Sequence, residues 1–193
     1  MKGFKFDISK LEKLNDPERL KDIPPEYIWD KLQLQNPRVL LDIGAGTGFF
    51  SKEFVQMTGV DQVYALDIAD EMIEWMEEHL VADYPGVKPM KMEESSVPLS
   101  DRIADGIIMI NLHHEFHEPD TFLQECYRLL NNKGKMAIMD WAKKETEHGP
   151  PVSKRYSISV IINQLKKAGF QNVESYEELP SHFLILAEKN ENQ

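Results

Sequence analysis

The stretch Leu41-Asp42-Ile43-Gly44-Ala45-Gly46-Thr47-Gly48-Phe49-Phe50 decides the fold of this chain. A short apolar run leads into three glycines at alternate positions, and a helix-forming segment comes after them. The apolar run predicts a strand buried on both faces. The glycines allow a tight turn and let a ligand approach the backbone closely, and the free N–H groups of the next helix favour a negative group. We therefore predict a strand–turn–helix unit with a ligand site at the turn.

Strands and helices alternate through the rest of the chain. The apolar runs predict seven strands, at residues 39–43, 63–66, 87–92, 104–110, 135–139, 173–176 and 182–187. The last two are joined without a helix, so we expect them to form an antiparallel hairpin. The pattern predicts an α/β fold of three layers, a Rossmann-like, seven-stranded and mostly parallel sheet with a C-terminal antiparallel hairpin and helices on both faces.

Helix boundaries are predicted from local signals. Asp70 is expected to cap the start of the helix after the second strand, and the sequence of residues 131–134, Asn-Asn-Lys-Gly, to end the helix before the fifth strand. Ser157 is expected to open the last helix. We expect one domain over residues 1–193, in which residues 1–36 form an N-terminal cover of two short helices and residues 37–193 form the ligand-binding core.

Composition narrows the possible functions. The 193 residues contain 22 Lys and Arg against 33 Asp and Glu, a net charge of -11. Such a charge disfavours nucleic acid as a partner. The single cysteine, Cys126, excludes an internal disulfide framework and a multi-thiolate zinc site. No apolar run of signal-peptide or membrane-span length is found, so we expect no membrane association and a cytoplasmic location.

Several side chains downstream of the glycines have the chemistry of a nucleoside site. Asp67 comes about 20 residues after Gly48, the distance at which an acid accepts hydrogen bonds from a ribose diol. Ile68 and Met72 provide an apolar wall for a purine ring or, equally, ordinary core packing. Glu93 and Glu94 are placed to accept a hydrogen bond from an adenine amino group, or they belong to a solvated acidic loop.

Two further residues indicate which nucleoside ligand is favoured. Asp42, directly before the glycines, suits a cationic ammonium group better than a pyrophosphate. The fingerprint of nicotinamide dinucleotide sites needs a glycine at position 49, where this chain has Phe49. A nicotinamide-dependent oxidoreductase is therefore the less favoured alternative.

Together these motifs resemble a class I S-adenosylmethionine-dependent methyltransferase of the small type 11 kind, related to the quinone-biosynthesis methyltransferases. The likeness covers residues 38–189, and Glu93 stands where that family often has aspartate. It implies S-adenosylmethionine as cofactor and S-adenosylhomocysteine as product. It also implies that Asp67 holds the ribose and Glu93 or Glu94 the adenine. The residues it places around the methionine part are Asp42, Gly44, Ala45, Gly46, Gly48 and, through its backbone, Asn111.

A histidine-rich loop comes after the fourth strand. Its candidates for a general base that deprotonates an acceptor are His113, His114 and His117. The spacing does not match a zinc-peptidase helix, since Glu118 stands where the second histidine would be needed, and we predict no metal. Trp141, after the fifth strand, either walls an acceptor pocket or anchors its loop.

The sequence therefore predicts an enzyme that transfers a methyl group from S-adenosylmethionine to an unidentified small-molecule acceptor. A non-catalytic S-adenosylmethionine sensor or partner protein on the same fold is the main alternative.

Overall fold

The computed structural model of the protein describes residues 8–190, with side chains from residue 11 onward. The first seven residues of the expected N-terminal cover, and the last three of the core, lie outside the described residues. The strands are β1 (Val39–Ile43), β2 (Gln62–Asp67), β3 (Val87–Lys91), β4 (Ala104–Ile110), β5 (Leu130–Trp141), β6 (Gln171–Tyr176) and β7 (His182–Glu188). The helices are α1 (Ile8–Leu14), α2 (Arg19–Asp22), α3 (Pro25–Leu32), α4 (Phe49–Thr58), α5 (Asp70–His79), α6 (Pro119–Leu129) and α7 (Ile158–Lys167).

The seven strands form one sheet in the order β3-β2-β1-β4-β5-β7-β6. Strands β1 to β5 pair in parallel, and β7 pairs antiparallel with both β5 and β6. The predicted fold class and the C-terminal antiparallel hairpin are confirmed. The chain passes from β1 outward to β3 and then crosses back to β4, so the connectivity reverses between β1 and β4. Ligands of such sheets bind outside the carboxyl ends of the strands at this point.

The core lies on both faces of the sheet. On one face the side chains of α3 and α4 pack against the strands, with Ile28, Leu32 and Phe54 fully buried. On the other face α6 and α7 pack through residues such as Phe122 and Ile161. Cys126 is buried on the inner side of α6, where burial raises the pKa of its thiol; this fits a cysteine used as a small apolar side chain.

The N-terminal segment contains three helices rather than the two expected. The additional helix, α2, is a single turn between the Asp16–Pro17 break and Pro24. Helix α3 belongs to the helical layer, because its buried side chains Ile28 and Leu32 lie in the same core cluster as those of α4. Helices α1 and α2 lie nearer the glycine turn between β1 and α4, where they form part of its surroundings.

Two boundary predictions are wrong. The cap of α5 is Ala69, and Asp70 is the first helical residue, where its carboxylate pairs with Lys91 at 2.7 Å. Residues 131–134 do not end α6, which stops at Leu129. Those residues lie inside β5 instead and form an irregularity in its pairing with β4, since Ala104 pairs with Leu130 and Gly106 with Lys135. The cap of α7 is Ser157, as expected.

Within residues 8–190, no helix combines the length and apolar character that crossing a bilayer requires.

Candidate functional site

The predicted turn between β1 and α4 is built on three glycines with positive φ, 70° at Gly44, 57° at Gly46 and 72° at Gly48. A β-carbon at Gly44 would lie 2.5 Å from the Leu112 side chain, which packs against the turn from the end of β4. A β-carbon at Gly46 would lie 3.6 Å from Leu14 at the end of α1. The turn is thus closely covered on two sides, by α1 and by the segment after β4.

The carboxylate of Asp67 joins the glycine turn to the end of β2. Its Oδ2 accepts a hydrogen bond from the Gly46 N–H at 2.8 Å, and its Oδ1 accepts one from the Ala69 N–H at 2.9 Å. Each oxygen keeps a second lone pair for a further donor. The structure therefore brings together the glycine turn and the distant acid that the sequence singles out.

The residues after Asp67 divide into an exposed and a buried side chain. Ile68 is 56% exposed, which is unusual for a large apolar side chain, whereas Met72 in α5 is 5% exposed. An exposed isoleucine beside Asp67 is suited to cover the face of a purine ring. Met72 is placed as a core residue, and its contact with a ligand stays a prediction.

Glu93 and Glu94 have different surroundings. Glu94 is paired with His117, whose Nδ1 lies 2.7 Å from Oε1 and whose backbone N–H donates to the same oxygen. These hydrogen bonds lower the pKa of Glu94. Glu93 pairs through its backbone with Ser96 and comes after Met92, whose N–H donates to the Asp67 carbonyl at 3.0 Å. The backbone of Glu93 is thus tied to the end of β2, while the carboxylate of Glu94 is occupied by His117. This difference favours Glu93 for the adenine contact.

Asp42, in β1, is a buried carboxyl group with an unusual environment. It is 3% exposed and accepts a hydrogen bond of 2.5 Å from Ser51 Oγ of α4. Burial raises the pKa of Asp42 to about 7, against the opposing effect of the Ser51 hydrogen bond, and the nearby Asp67 carboxylate raises it further. The guanidinium of Arg19, which opposes this shift, lies over the Phe50 ring at 4.8 Å.

Two polar atoms beside the turn, Thr47 Oγ1 and Asn111 Oδ1, are buried without a hydrogen-bond partner among the described residues. Asn111 comes directly after β4 and has a φ of 54°, a left-handed conformation uncommon outside glycine. Its N–H donates to the Met139 carbonyl at 2.8 Å, which fixes it between the ends of β4 and β5. Buried polar atoms without partners are rare, and here both lie where a ligand would meet the switch point of the sheet.

The three candidate histidines have three different environments. His113 is fully buried, with Nε2 3.0 Å from Gln164 Oε1 and its ring against Tyr156; burial lowers its pKa. His117 has a side chain that is 87% exposed and is paired with Glu94.

The third, His114, is held by a carboxylate. Its Nδ1 lies 2.8 Å from Asp140 Oδ1, and its backbone N–H donates to Asp140 Oδ2 at 3.1 Å. Asp140 also accepts from the Trp141 N–H at 2.7 Å. Burial opposes protonation of the ring, but the hydrogen bond and the charge of Asp140 outweigh it and raise the pKa of His114. This arrangement fixes the imidazole with Nδ1–H toward the carboxylate and a lone pair on Nε2.

A cavity of about 720 Å³, which we call the acceptor cavity, opens beside this pair. The residues that line it are His114, Glu115, Phe116, His117, Lys143, Pro150, Ser153, Lys154, Arg155 and Tyr156. Its far wall is the loop after β5, which the buried Arg155 side chain organises. The guanidinium donates to the carbonyls of residues 142, 144, 148 and 150 and to Thr146 Oγ1.

Comparisons with known proteins identify the family. The model of the type 11 methyltransferase domain matches residues 41–138. A crystal structure of an S-adenosylmethionine-dependent methyltransferase from Aquifex aeolicus superposes with a TM-score of 0.86 at 35% identity, covering 95% of this chain and 99% of that one. The chain belongs to the S-adenosylmethionine-dependent methyltransferases.

Two curated relatives match this methyltransferase over a shorter stretch of the chain or at lower sequence identity. A malonyl-[acyl-carrier protein] O-methyltransferase of Methylococcus capsulatus is 33% identical over 106 residues, 53% of this chain and 37% of that protein. A ubiquinone/menaquinone biosynthesis C-methyltransferase of Citrobacter koseri is 24% identical over 156 residues, 77% of this chain and 60% of that protein. The chain thus spans less than two thirds of the length of either curated relative. The oxidoreductase alternative receives no support from these matches.

The methyltransferase's residues fit the cofactor of its family. The glycine turn and the side chains around it, which we call the cofactor cradle, provide free lone pairs on Asp67 for a diol and an exposed apolar side chain at Ile68 for a purine. They also provide the buried carboxyl of Asp42, which is suited to an ammonium group, and the buried, unpartnered Oδ1 of Asn111, which is a further acceptor beside the turn. Among the described residues no cluster of histidine, cysteine or carboxylate side chains could hold a metal ion.

Sequence reasoning missed Asp140, Arg155 and Arg19. Asp140 lies one residue before Trp141 inside a buried strand, and only the three-dimensional pairing of β4 with β5 brings it to His114. Trp141 itself anchors the loop, since its ring packs against His182 at 4.2 Å and against Gly149. A charged residue in an otherwise apolar strand, Asp140 after residues 136–139, is the signal that would have found the pair.

Proposed function

We propose that this protein transfers the methyl group of S-adenosylmethionine to a small molecule bound in the acceptor cavity, with His114 as the general base. The observation that carries the proposal is the buried His114–Asp140 pair at the carboxyl ends of β4 and β5. This pair lies one strand away from the glycine turn, because β4 is the direct neighbour of β1. Cofactor and acceptor would therefore meet at the switch point of the sheet.

On this proposal the residues around the turn bind and orient the cofactor. Asp67 would accept from both ribose hydroxyls with the lone pairs that the Gly46 and Ala69 N–H groups leave free. Ile68 would cover the purine, Glu93 would accept from its amino group, and Asp42 would face the ammonium. The bound cofactor supplies a methyl group already activated by the positive sulfur, so the chain mainly has to align the acceptor and exclude water.

His114 would remove the proton from the attacking acceptor atom. The Asp140 carboxylate holds the ring in the tautomer whose Nε2 can take a proton, and it stabilises the imidazolium that results. His114 and His117 both line the cavity, whereas His113 is closed off in the core. His117, however, lies at the surface, and its partner Glu94 is exposed. Among the three histidines, His114 alone combines access to the cavity with a buried positioning carboxylate.

The chemistry of the cavity describes the acceptor in general terms. Phe116 and Tyr156 supply aromatic surface, while Lys143 and Lys154 supply positive charge in a chain that is strongly acidic overall. The two curated relatives differ in the methylated atom, oxygen in one and carbon in the other. We therefore assign the acceptor by the lining alone, as a small molecule with both an apolar part and a nucleophilic group that ionises near neutral pH.

The test is a turnover screen with methyl-labelled S-adenosylmethionine and pools of small molecules, read by mass spectrometry. His114→Gln should reduce transfer by about 100-fold or more while leaving the affinity for S-adenosylhomocysteine within about twofold. His79→Gln, at an exposed position on α5, is the matched control and should keep full activity. Tight cofactor binding without transfer to any pool would instead favour the sensor, and a larger loss in His117→Gln would move the base to His117.

A further inference from the structure

A second cavity, of about 350 Å³, lies next to the acceptor cavity and shares Lys143 with it. It is formed between the loop after β5, the start of α7 and the turn that joins β6 to β7. Its polar lining consists of Lys143, Lys144, Ser157, Ser159, Glu177 and His182. The cofactor cradle and the His114–Asp140 pair do not account for this cavity.

The floor of the second cavity contains a buried histidine with unmet hydrogen-bonding capacity. His182, the first residue of β7, is 2% exposed, and neither ring nitrogen has a hydrogen-bond partner among the described residues. Burial lowers the pKa of His182 to about 4, so the ring is neutral and holds one N–H donor and one acceptor. A buried side chain with two unmet hydrogen-bonding atoms is costly to keep unless a ligand uses it.

The start of α7 provides donors at the same place. The helix has ten residues and begins after Ser157, whose side chain makes no capping hydrogen bond. Ser157 Oγ lies instead 3.1 Å from Ser159 Oγ, so the two hydroxyls are grouped at the helix end. An uncapped helix N-terminus attracts an anion through its N–H groups and its dipole.

The charges around the second cavity favour the same class of ligand. Lys143 and Lys144 are exposed on its rim, and their loop is fixed by the Arg155 hydrogen bond to the Lys144 carbonyl at 2.8 Å. Glu177 is the one acidic side chain in this lining, and it is exposed. Two ammonium groups against one carboxylate leave the rim positive in a protein whose net charge is -11.

We propose that the second cavity binds the anionic group, a carboxylate or a phosphate, of the methyl acceptor. His182 would donate its ring N–H to an anionic oxygen, with the serine hydroxyls, the α7 N–H groups and the two lysines completing the shell. Since Lys143 borders both cavities, an acceptor held by its acidic end here would present its nucleophilic atom in the acceptor cavity beside His114. This inference rests on the proposed function for the identity of the ligand, but the anion site itself does not.

The first experiment uses inorganic phosphate as the probe and needs no methyl transfer. Protein labelled with ¹⁵N in its histidine rings is titrated with phosphate at constant ionic strength and monitored by NMR. The signals that are missing from the spectrum of His182→Gln are assigned to His182. We expect the His182 signals to shift in a saturable way. Lys143→Gln should weaken the apparent affinity about tenfold, whereas Lys166→Gln, near the other end of α7, should leave it unchanged.

The opposite results would overturn the proposal. If the chemical shifts of His182 do not change while those of other histidines do, phosphate binds elsewhere. If Lys143→Gln and Lys166→Gln lose affinity equally, phosphate binds only by nonspecific electrostatic attraction. Should His182→Gln fail to fold, the Lys143→Gln and Lys166→Gln pair decides alone, since both side chains are exposed and the parent His182 signal can be assigned by its slow solvent exchange.

A second experiment separates this inference from the proposed function. With an acceptor from the turnover screen in hand, phosphate should inhibit competitively against the acceptor and not against S-adenosylmethionine. Competition with S-adenosylmethionine would place the anion in the cofactor cradle and overturn the proposal. Phosphate binding at His182 in a protein that transfers no methyl group would keep the anion site and overturn the proposed function.

Discussion

Two buried aspartates at the carboxyl edge of the sheet have opposite surroundings. Asp42 of β1 and Asp140 of β5 are each 3% exposed. Asp140 accepts three hydrogen bonds, two from His114 and one from the Trp141 N–H. Asp42 accepts a hydrogen bond from Ser51, and burial raises its pKa to about 7. Three hydrogen bonds stabilise the Asp140 carboxylate, whereas the Ser51 hydrogen bond and the Arg19 charge only partly offset the effect of burial on Asp42.

This difference indicates how the two halves of the site work. On the proposed function, the ammonium group of the cofactor would stabilise the charged form of Asp42 in the cofactor half of the site. The acceptor half, around Asp140, is preorganised, because three hydrogen bonds hold this carboxylate before any ligand binds. Changing one half at a time should therefore separate cofactor binding from the chemical step.

The largest effect is expected from Asp140→Asn. The amide leaves the shape of the site intact but no longer holds His114 in the tautomer with a free Nε2, so kcat should fall about 100-fold or more with little change in KM. Because Asp140 positions His114, the pH profile is the decisive measurement. The rise of kcat with pH, which in the parent reflects a raised His114 pKa, should move to lower pH. A loss confined to KM would contradict the positioning role.

Asp42→Asn should act on binding and not on the chemical step. Removing the charge that faces the ammonium should weaken S-adenosylhomocysteine at pH 8 by about 10- to 100-fold, measured by calorimetry. Methylthioadenosine, which lacks the amino-acid part, is the matched ligand and should bind unchanged. The Tm of the variant at pH 8 should not fall, because burial disfavours the charged carboxylate of Asp42 and the amide that replaces it is neutral. Equal weakening of both ligands would show that Asp42 supports the turn instead.

The pH dependence of cofactor binding should reflect the Asp42 carboxyl. Below a pKa of about 7 the group is protonated in the free protein and must lose its proton to face an ammonium. The affinity for S-adenosylhomocysteine should therefore rise from about pH 5.5 to 7 by up to about tenfold per pH unit and level off above about pH 7. Calorimetry in buffers of different ionisation enthalpy should detect proton release near this pKa. The slope should vanish in Asp42→Asn, and its survival there would assign the titration to another group.

The smallest expected effect is a difference in the free energy of unfolding between substitutions at two glycines of the same turn. Gly44→Ala and Gly46→Ala each place a β-carbon at positive φ, which costs about 1–2 kcal/mol. Gly44→Ala also brings the new carbon within 2.5 Å of Leu112, whereas Gly46→Ala meets Leu14 at an ordinary 3.6 Å. Urea unfolding should find Gly44→Ala less stable by about a further 1 kcal/mol. Equal midpoints would mean that Leu112 moves aside freely.

The cofactor half of the site could be predicted from the sequence because its signals are local. The Gly44–Gly48 turn and the placement of Asp67 depend on strand endings that the apolar pattern reveals, and the Gly46–Asp67 hydrogen bond brings them together. The exposure of Ile68 could not be foreseen, since an isoleucine after a strand fits a core position equally well.

The acceptor half could not be predicted in the same way because its contacts depend on how two strands pair and on how one loop folds. His114 meets Asp140 only through the pairing of β4 with β5, and Arg155 meets its carbonyl partners only after the loop has folded. The sequence contains three neighbouring histidines with equal chemistry, and burial, not spacing, separates them. The wrong boundary at residues 131–134 has a similar origin, since a helix-ending sequence is also suited to an irregular strand.

The loop that Arg155 organises has a practical consequence. The Arg155 side chain holds residues 142 to 150 through four backbone carbonyls and Thr146 Oγ1, so the frame of the loop depends on few of its other side chains. The side chains of Lys143 and Pro150, which line the acceptor cavity, can therefore be replaced while the loop keeps its conformation. Substitutions at these two positions that keep Arg155 should change which compounds this protein methylates, without altering the residues around the glycine turn.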